Sequence, residues 1–356
     1  MIKATNNTTH FHHSTPVVRV QTASELTPKP YDWIWRGWLA AGKMHILAGS
    51  PGTAKTTVAL SMAATITRGG TWPDGSKSPK GDVLIWSGED DIDDTLLPRA
   101  LACGCDPKRL HFVRDVGHRG RNRPFDPATD MNGLLDVAYE QPNLKLVIVE
   151  PMVSLVAGSS NSNSAVRKAY QPLITMAVER GCPLLGITHF NKAGKGTDPL
   201  DRVTGSLAFG GLARMVMCAA KPANLSLPNR LVRAKSNLCK SGDGFDYAIV
   251  HTHLDSDPII ETNCIEWGQA VFGSATDLLA EIEQPRRSDG RETKLDQAVT
   301  WMAAALADGS VPSAALWDAA EQAGISKATY RRARDVLGLV SEKGGFGDGW
   351  NIGLPN

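Results

Sequence analysis

The chain has little of what would mark it for a specialised environment. Six of its 356 residues are cysteine, at 103, 105, 182, 218, 239 and 264, and they contain no C-x-x-C pair. Zinc and thioredoxin-like redox sites need such spacings, so the thiols read as free, in a reducing cytoplasm. Net charge is almost nil: 38 Lys and Arg against 37 Asp and Glu leave +1. No global field advertises nucleic acid or an anionic membrane, and any nucleic-acid site must be a local patch. No uninterrupted apolar run reaches the ~18–20 residues of a membrane span, and the N-terminus lacks the apolar core of a signal peptide. The expectation is a soluble cytoplasmic protein with no membrane partner. Apolar residues at 42% and charged residues at 21% exclude a collagen-like, coiled-coil or wholly disordered chain.

What is present is an α/β pattern. Residues 1–25 are polar and without period, and read as a flexible tail; His10, His12 and His13 in it have no fixed geometry to back a metal site. From Tyr31, short apolar runs alternate with helical periods. Strands are expected at 45–48, 83–86, 110–113, 146–149 and 184–188, and helices at 55–68, 92–102, 128–139 and 164–180. Continuous apolar strands separated by helices signal a mostly parallel sheet covered on both faces. Further strands at 214–219, 231–234 and 247–250 lack long helices between them and predict an antiparallel extension. The α/β domain spans 26–283, closing near Trp267 or soon after. Residues 284–294 read as a linker, and 295–356 as a small unit of three helices and a glycine-rich hairpin. Trp33, Trp35 and Trp38 precede the first strand and read as core.

The chemistry lies at strand ends. Gly49, Ser50, Pro51, Gly52, Thr53, Ala54, Lys55, Thr56 and Thr57 stand between a strand and a helix. They match G-x-x-x-x-G-K-[ST] except at Ala54. Backbone N–H groups must curl around a β-phosphate here, with a helix N-terminus adding partial positive charge. Lys55 adds a full charge, and the Thr56 hydroxyl suits Mg²⁺. Ala54 is small enough for close approach, but a right-handed φ is expected of it. The strand 146–149 ends in Glu150, a carboxylate placed near the metal. The strand 83–86 leads into Ser87-Gly88-Glu89-Asp90-Asp91. Glu89 is the candidate to orient or deprotonate an attacking water, with Asp90 as alternative; Asp90 or Asp91 equally suits a helix cap. The strand 184–188 ends in His189, which could hydrogen-bond a γ-phosphate. Such a site predicts ATP and Mg²⁺ as ligands.

Together these residues resemble the RecA-like ATPases, and within them the hexameric replicative helicases typified by plasmid RepA. The resemblance runs over roughly residues 30–267. It rests on the order phosphate loop, strand-Ser-Gly-Glu-Asp, strand-Glu-Pro, strand-Thr-His-Phe-Asn-Lys, Thr204-Gly205-Ser206 before Arg214, and Lys235-Ser236-Asn237. It implies Glu89 as catalytic base, Glu150 as the metal-side acid, and His189 before a DNA loop. It further implies Arg214 as a finger on a neighbouring subunit's γ-phosphate, with Lys235 reaching across the same interface. The implied activity is a Mg²⁺-dependent DNA helicase. It would act as a ring of identical chains, a hexamer, on single-stranded DNA in the replication of a plasmid, phage or integrated element, with replication proteins as further partners. An ATP-switched DNA-binding protein is the alternative. A small-molecule phosphotransferase ranks last, for want of an acceptor pocket.

Two loops offer small and basic residues to a phosphate backbone: 157–164, with Arg167 and Lys168 beyond it, and 191–202, with Lys192, Lys195 and Arg202. Arg114, Arg119, Arg121 and Arg123 form a denser basic stretch. In the C-terminal unit Lys327, Arg331, Arg332 and Arg334 crowd one helix of a winged-helix-like arrangement, where a recognition helix would carry them.

Overall fold

The structure is a computed structural model that describes residues 18, 20–118, 120–156, 162–191, 199–203, 207–223, 227–256, 258–283, 294–307, 309–343 and 350–354. The chain divides into two compact units, Met1–Gln284 and Pro285–Asn356.

In the first unit a small ladder, β1 (Trp33–Trp35) and β2 (Leu39–Ala40), precedes β3 (Met44–Gly49) and α1 (Lys55–Arg68). Next come β4 (Asp82–Ser87), a wide π-type turn over Ile92–Leu96, α2 (Leu97–Ala102) and β5 (Leu110–Phe112). A hairpin of β6 (Asp115–His118) and β7 (Arg121–Pro124) leads to α3 (Pro127–Glu140) and β8 (Leu144–Glu150). Then follow α4 (Asn163–Arg180), β9 (Leu184–His189), α5 (Leu207–Leu212) and β10 (Met215–Ala220). The unit ends with β11 (Asn229–Ser236), β12 (Gly244–Leu254), β13 (Ile260–Val271) and α6 (Ala275–Glu283).

Nine strands form one sheet in the order β13-β12-β11-β10-β3-β9-β8-β4-β5. From β10 to β5 every pair is parallel; β10, β11, β12 and β13 pair antiparallel in turn. The expected parallel sheet and its antiparallel extension are therefore both present. Period-two alternation sorts the strand residues between two cores. Met44, Ile46, Ala48, Leu84 and Trp86 pack with α3, α4 and α6, while Leu47, Val83 and Ile85 pack with α1. The tryptophans fall in the second core. Trp35 is fully buried, stacked between Trp38 and Trp72 at 4.9 and 4.6 Å, and its indole N–H donates to Asp74 at 2.9 Å.

Several features depart from expectation. Strand β13 has no local signal in the sequence, because Ile260–Val271 mixes Glu, Asn and Gly into a half-exposed ribbon that lacks an apolar run. The helix expected over 92–102 begins as a π-type turn, which Asp91 caps by accepting from the N–H groups of Asp93 (2.7 Å) and Asp94 (3.3 Å). Arg202, expected on a phosphate-tracking loop, is 4% exposed. Its guanidinium lies 4.2 Å over the Phe190 ring and donates twice to Glu283 at 2.7 and 2.8 Å, tying the segment after β9 to α6.

In the second unit α7 (Lys294–Ala305), α8 (Ser313–Gln322) and α9 (Lys327–Val336) surround a core of Ala298, Met302, Leu306, Leu316, Ala320, Tyr330, Ala333 and Ile352. Three short strands close it: β14 (Val311–Pro312), β15 (Val340–Lys343) and β16 (Trp350–Gly353), in the order β14-β16-β15. The N-terminal tail before 18 and most of the linker fall outside the described residues. Among the described residues no helix is long and apolar enough to cross a membrane.

The Arg202–Glu283 pair makes a test. Arg202→Met strands a buried carboxylate, and the expected loss is about 3–5 kcal/mol in urea unfolding. Arg202→Met with Glu283→Met should recover most of it, since an apolar pair leaves no charge uncompensated. A single variant as stable as the parent would show that the ion pair does not hold α6.

Candidate active site

The site is assembled at the C-terminal edge of the parallel strands. Strand β3 ends at Gly49, where a Cβ would meet the Ala219 carbonyl oxygen at 2.4 Å, so only glycine lets the loop leave beside β10. The loop then turns back into α1. Ala54 makes that turn with φ 53° and ψ 39°, left-handed, against the right-handed expectation. The reason is the demand of the loop: its N–H groups must converge before the helix begins, and that needs positive φ. An L-residue bears a cost of roughly 1–2 kcal/mol there, which glycine would not.

Lys55 is 6% exposed, its ammonium hydrogen-bonded to the Ser50 carbonyl at 3.3 Å and to His189 Nδ1 at 3.2 Å. No carboxylate forms an ion pair with it among the described residues. Burial pulls its pKa down, against the charges of Glu150 and Glu89. An ammonium only donates, so Nδ1 of His189 must accept and Nε2 carries the ring proton. That nitrogen lies 3.5 Å from Glu89 Oε1. His189 therefore bridges the loop lysine and the candidate base.

Thr56 donates its hydroxyl to Glu150 Oε1 at 2.9 Å, bringing together the two residues read as metal-side. Glu150 is 3% exposed, and burial pushes its pKa up to about 7. The Thr56 hydrogen bond and Lys55 oppose that rise, while Glu89 and Asp90 add to it. The two acid-ended strands are pinned together, since Gly88 N–H donates to the Glu150 carbonyl at 2.7 Å. Ser87 Oγ accepts from the N–H groups of Glu89 (3.3 Å) and Asp90 (3.4 Å). The two acids then diverge: Asp90 is engaged by Arg99 at 2.7 Å, while Glu89 lines the cleft.

This cleft, about 380 Å³, is lined by Pro51, Gly52, Ala54, Lys55, Thr56 and Thr57 of the loop, by Glu89, Glu150 and His189, and by four residues that no motif pointed to. Those are Arg99 on α2 and Ile249, His251 and Asn263 on the β12–β13 ribbon. The ribbon is fastened to the loop and α1 at i, i+4 and i+8. Tyr247 donates its hydroxyl to the Thr53 carbonyl (2.6 Å), Thr57 donates to Asn263 Oδ1 (3.0 Å), and Trp267 Nε1 donates to Ser61 Oγ (2.9 Å). Nothing local in the sequence signals this, because each pair is separated by about two hundred residues.

Other sequence candidates are not gathered here. Arg214 precedes β10 next to Met44, at the opposite edge of the sheet, five residues down the register from Gly49, or about 16 Å at the usual strand rise. Lys235 shares that edge. Its ammonium is bonded to the carbonyls of Gly210 and, at 3.3 Å, Ala213, and burial and Arg214 together lower its pKa. Arg167 and Lys168 are exposed on the first turns of α4. Lys192, Lys195, Arg119, residues 157–161 and 204–206 lie outside the described residues. In the basic stretch, Arg114 pairs with Asp93 and Arg123 with Asp130.

The donor set fits a magnesium nucleotide. A desolvated ammonium without a carboxylate partner suits phosphate, and Thr56 and Glu150 offer the oxygen donors that magnesium prefers. Among the described residues no cluster of three or more His, Cys, Asp or Glu could hold a metal unaided, so phosphate oxygens and water would complete its shell.

Phosphate loop, acid-ended strands and parallel sheet define a RecA-like P-loop ATPase core. Residues 9–195, just over half of the chain, match the AAA domain family, and the chain belongs to it. It is also similar to the DNA repair protein RadA of Bacillus subtilis (strain 168), at 24% identity over 192 residues, 52% of this chain and 36% of that protein. The chain thus spans about a third of the length of that relative.

The buried acid yields a pH test on the ligand-free protein. Folding raises the Glu150 pKa from 4.5 to about 7, so its protonated form is the stabilised one. That contribution is whole below the unfolded value and is lost as pH rises through 7. Glu150→Gln keeps an acceptor for Thr56 and removes the titration. At 1.36 kcal/mol per pKa unit, its advantage over the parent in urea unfolding should grow by up to about 3 kcal/mol between pH 4.5 and pH 8. Parallel pH curves for the two proteins would contradict the buried neutral acid. The base assignment has its own test. Glu89→Gln should retain ATP binding and lose turnover by about 10²-fold or more; unchanged turnover would transfer the role elsewhere.

Proposed function

We propose that the chain hydrolyses ATP to do work on DNA. It would be a ring-forming, RepA-like helicase or translocase serving the replication of a plasmid, phage or integrated element. In the reaction, Glu89 takes a proton from water as the water oxygen bonds to the γ-phosphorus and the bond to the β-phosphate bridge breaks, leaving ADP and phosphate. Lys55 would hold the β- and γ-phosphate oxygens, and Thr56 and Glu150 would hold Mg²⁺, which would supply neutralisation of the charge developing on the phosphoryl oxygens. Lys55 has a third N–H to offer the phosphates, and His189, bonded to Lys55 and near Glu89, would pass the presence or loss of the γ-phosphate to the chain that follows β9. Ile249, His251, Asn263 and Arg99 form the wall beyond the phosphates, against which the rest of the nucleotide would lie.

The observation that carries the reading is the division of cations across the sheet. Lys55 is in the cleft, while Arg214 is exposed at the opposite edge, beside Lys235. Charge on a transferring phosphoryl group needs a cation on its far side. A copy stacked head to tail would bring the Arg214 edge against the next copy's cleft, and such contacts close into rings when the rotation permits. The similarity to a protein named for DNA repair supports DNA as what is acted on, with Arg167, Lys168, Lys192 and Lys195 as backbone contacts of single-stranded DNA. A second reading, an ATP-switched DNA-binding protein with slow turnover, is favoured by two features. Ala54 occupies a strained position, and Glu150 must lose a proton near neutrality before it can serve a metal.

Complementation separates the accounts. Lys55→Ala and Arg214→Ala should each lower turnover by about 10²-fold or more. Mixed, the two inactive proteins should regain part of the activity, because each supplies what the other lacks at a shared interface. No recovery would refute a finger acting in trans. Stimulation by single-stranded DNA should be many-fold for a motor and slight for a switch.

A further inference from the structure

The C-terminal unit is neutral in sum: residues 285–356 hold nine Lys and Arg and nine Asp and Glu. Helix α7 carries one of each sign, Lys294 and Asp296, but α8 and α9 differ. Helix α8 carries Asp318 and Glu321 and no base, whereas α9 carries Lys327, Arg331, Arg332 and Arg334 against the single acid Asp335. Helix α9 commits one face to the unit's own core. Thr329, Tyr330 and Ala333 are buried, and the Tyr330 ring meets Trp317 edge-on at 5.1 Å. Arg334 belongs to the fold, directed to Ser341 Oγ at 3.4 Å. Lys327, Ala328, Arg331 and Arg332 are left exposed on the other side. Of these cations, Arg332 donates from Nε within the helix, to the Ala328 carbonyl at 3.4 Å. None of the three forms an ion pair with an acid among the described residues.

Like charges at i and i+4, such as Lys327 and Arg331, repel across a helix surface. The unit is neutral, yet α9 interleaves a single acid, Asp335, among its four cations. The helix also follows a tight turn, Ala323 to Ser326, after α8, and Ser326 caps it by accepting from Thr329 N–H at 3.3 Å. Its cations occupy the first two turns, the part of a second helix that enters a groove first. A helix about 10–12 Å across with its side chains fits a B-form major groove about 12 Å wide.

We propose that the exposed face of α9 is a docking surface for duplex DNA. Lys327, Arg331 and Arg332 would contact phosphates and groove edge in a winged-helix-like arrangement. Its residues belong to the second unit and none lines the nucleotide cleft, so the proposal does not rest on the ATPase reading. It fits a polyanion of duplex width by charge complementarity, and helix geometry favours duplex DNA over the deep, narrow major groove of duplex RNA.

The test uses the full chain, without nucleotide, and a fluorescent DNA duplex of about 30 base pairs, with binding read by anisotropy across a salt series. Arg331→Glu with Arg332→Glu should weaken duplex binding by about tenfold or more and reduce the slope of log K against log salt by about two. Arg331→Lys with Arg332→Lys should retain most of the affinity. Turnover and the thermal midpoint of the charge-reversed protein should match the parent, since both side chains are exposed and outside the cleft. Unchanged duplex affinity after charge reversal would overturn the proposal. So would a loss seen equally with oligo(dT), or a parent protein that prefers duplex RNA.

Discussion

The ammonium of Lys55 is the constraint from which the rest of the site follows. It is desolvated, its pKa is pulled down by burial, and its bonds go to a backbone carbonyl and a histidine nitrogen rather than to an acid. A charge in that position is tolerable only if an anion can reach it, and the loop leaves one side open for that. The same ammonium fixes the His189 tautomer and so presents an N–H toward Glu89. Beside it, the Thr56 hydroxyl donates to Glu150, a bond that favours the carboxylate, while burial favours the neutral acid and raises the pKa to about 7. The cleft is thus a set of polar groups provisionally paired among themselves, each pairing replaceable by phosphate, metal or water.

The sheet does two things for this cleft. Its parallel strands bring β3, β4, β8 and β9 to one edge, so that phosphate loop, Glu89, Glu150 and His189 converge although a hundred and forty residues separate the first from the last. The same parallel register carries Arg214 to the other edge, beside Met44, where it cannot serve its own chain's cleft. Beyond β10 the sheet turns antiparallel and curls back as a ribbon. Three hydrogen bonds at Thr53, Thr57 and Ser61 seat the phosphate-loop helix against that ribbon. The antiparallel extension is therefore part of the nucleotide site, supplying its wall and bracing its loop.

Ala54 in the loop and Glu150 at the end of β8 each have a physical consequence. Ala54 takes the left-handed conformation that glycine adopts freely, so the loop carries strain next to the lysine. Glu150 is a methylene longer than an aspartate would be at that strand end. It reaches Thr56 directly at the expense of being buried as an acid.

The sequence by itself determined the parallel sheet, the loop with Lys55 and Thr56, and the strand-end acids. These are local signals: apolar runs of strand length, glycine and lysine at fixed offsets, carboxylates where a run stops. Tertiary structure alone separates Glu89 from Asp90: Arg99 pairs with the second, while the first lines the cleft. It also decided that Arg202 is a buried strut tied to Glu283, and that Ile249, His251 and Asn263 wall the cleft. Those outcomes depend on contacts between residues far apart in the chain. No local spacing encodes such contacts; packing and the desolvation of charge settle them once the chain has closed on itself.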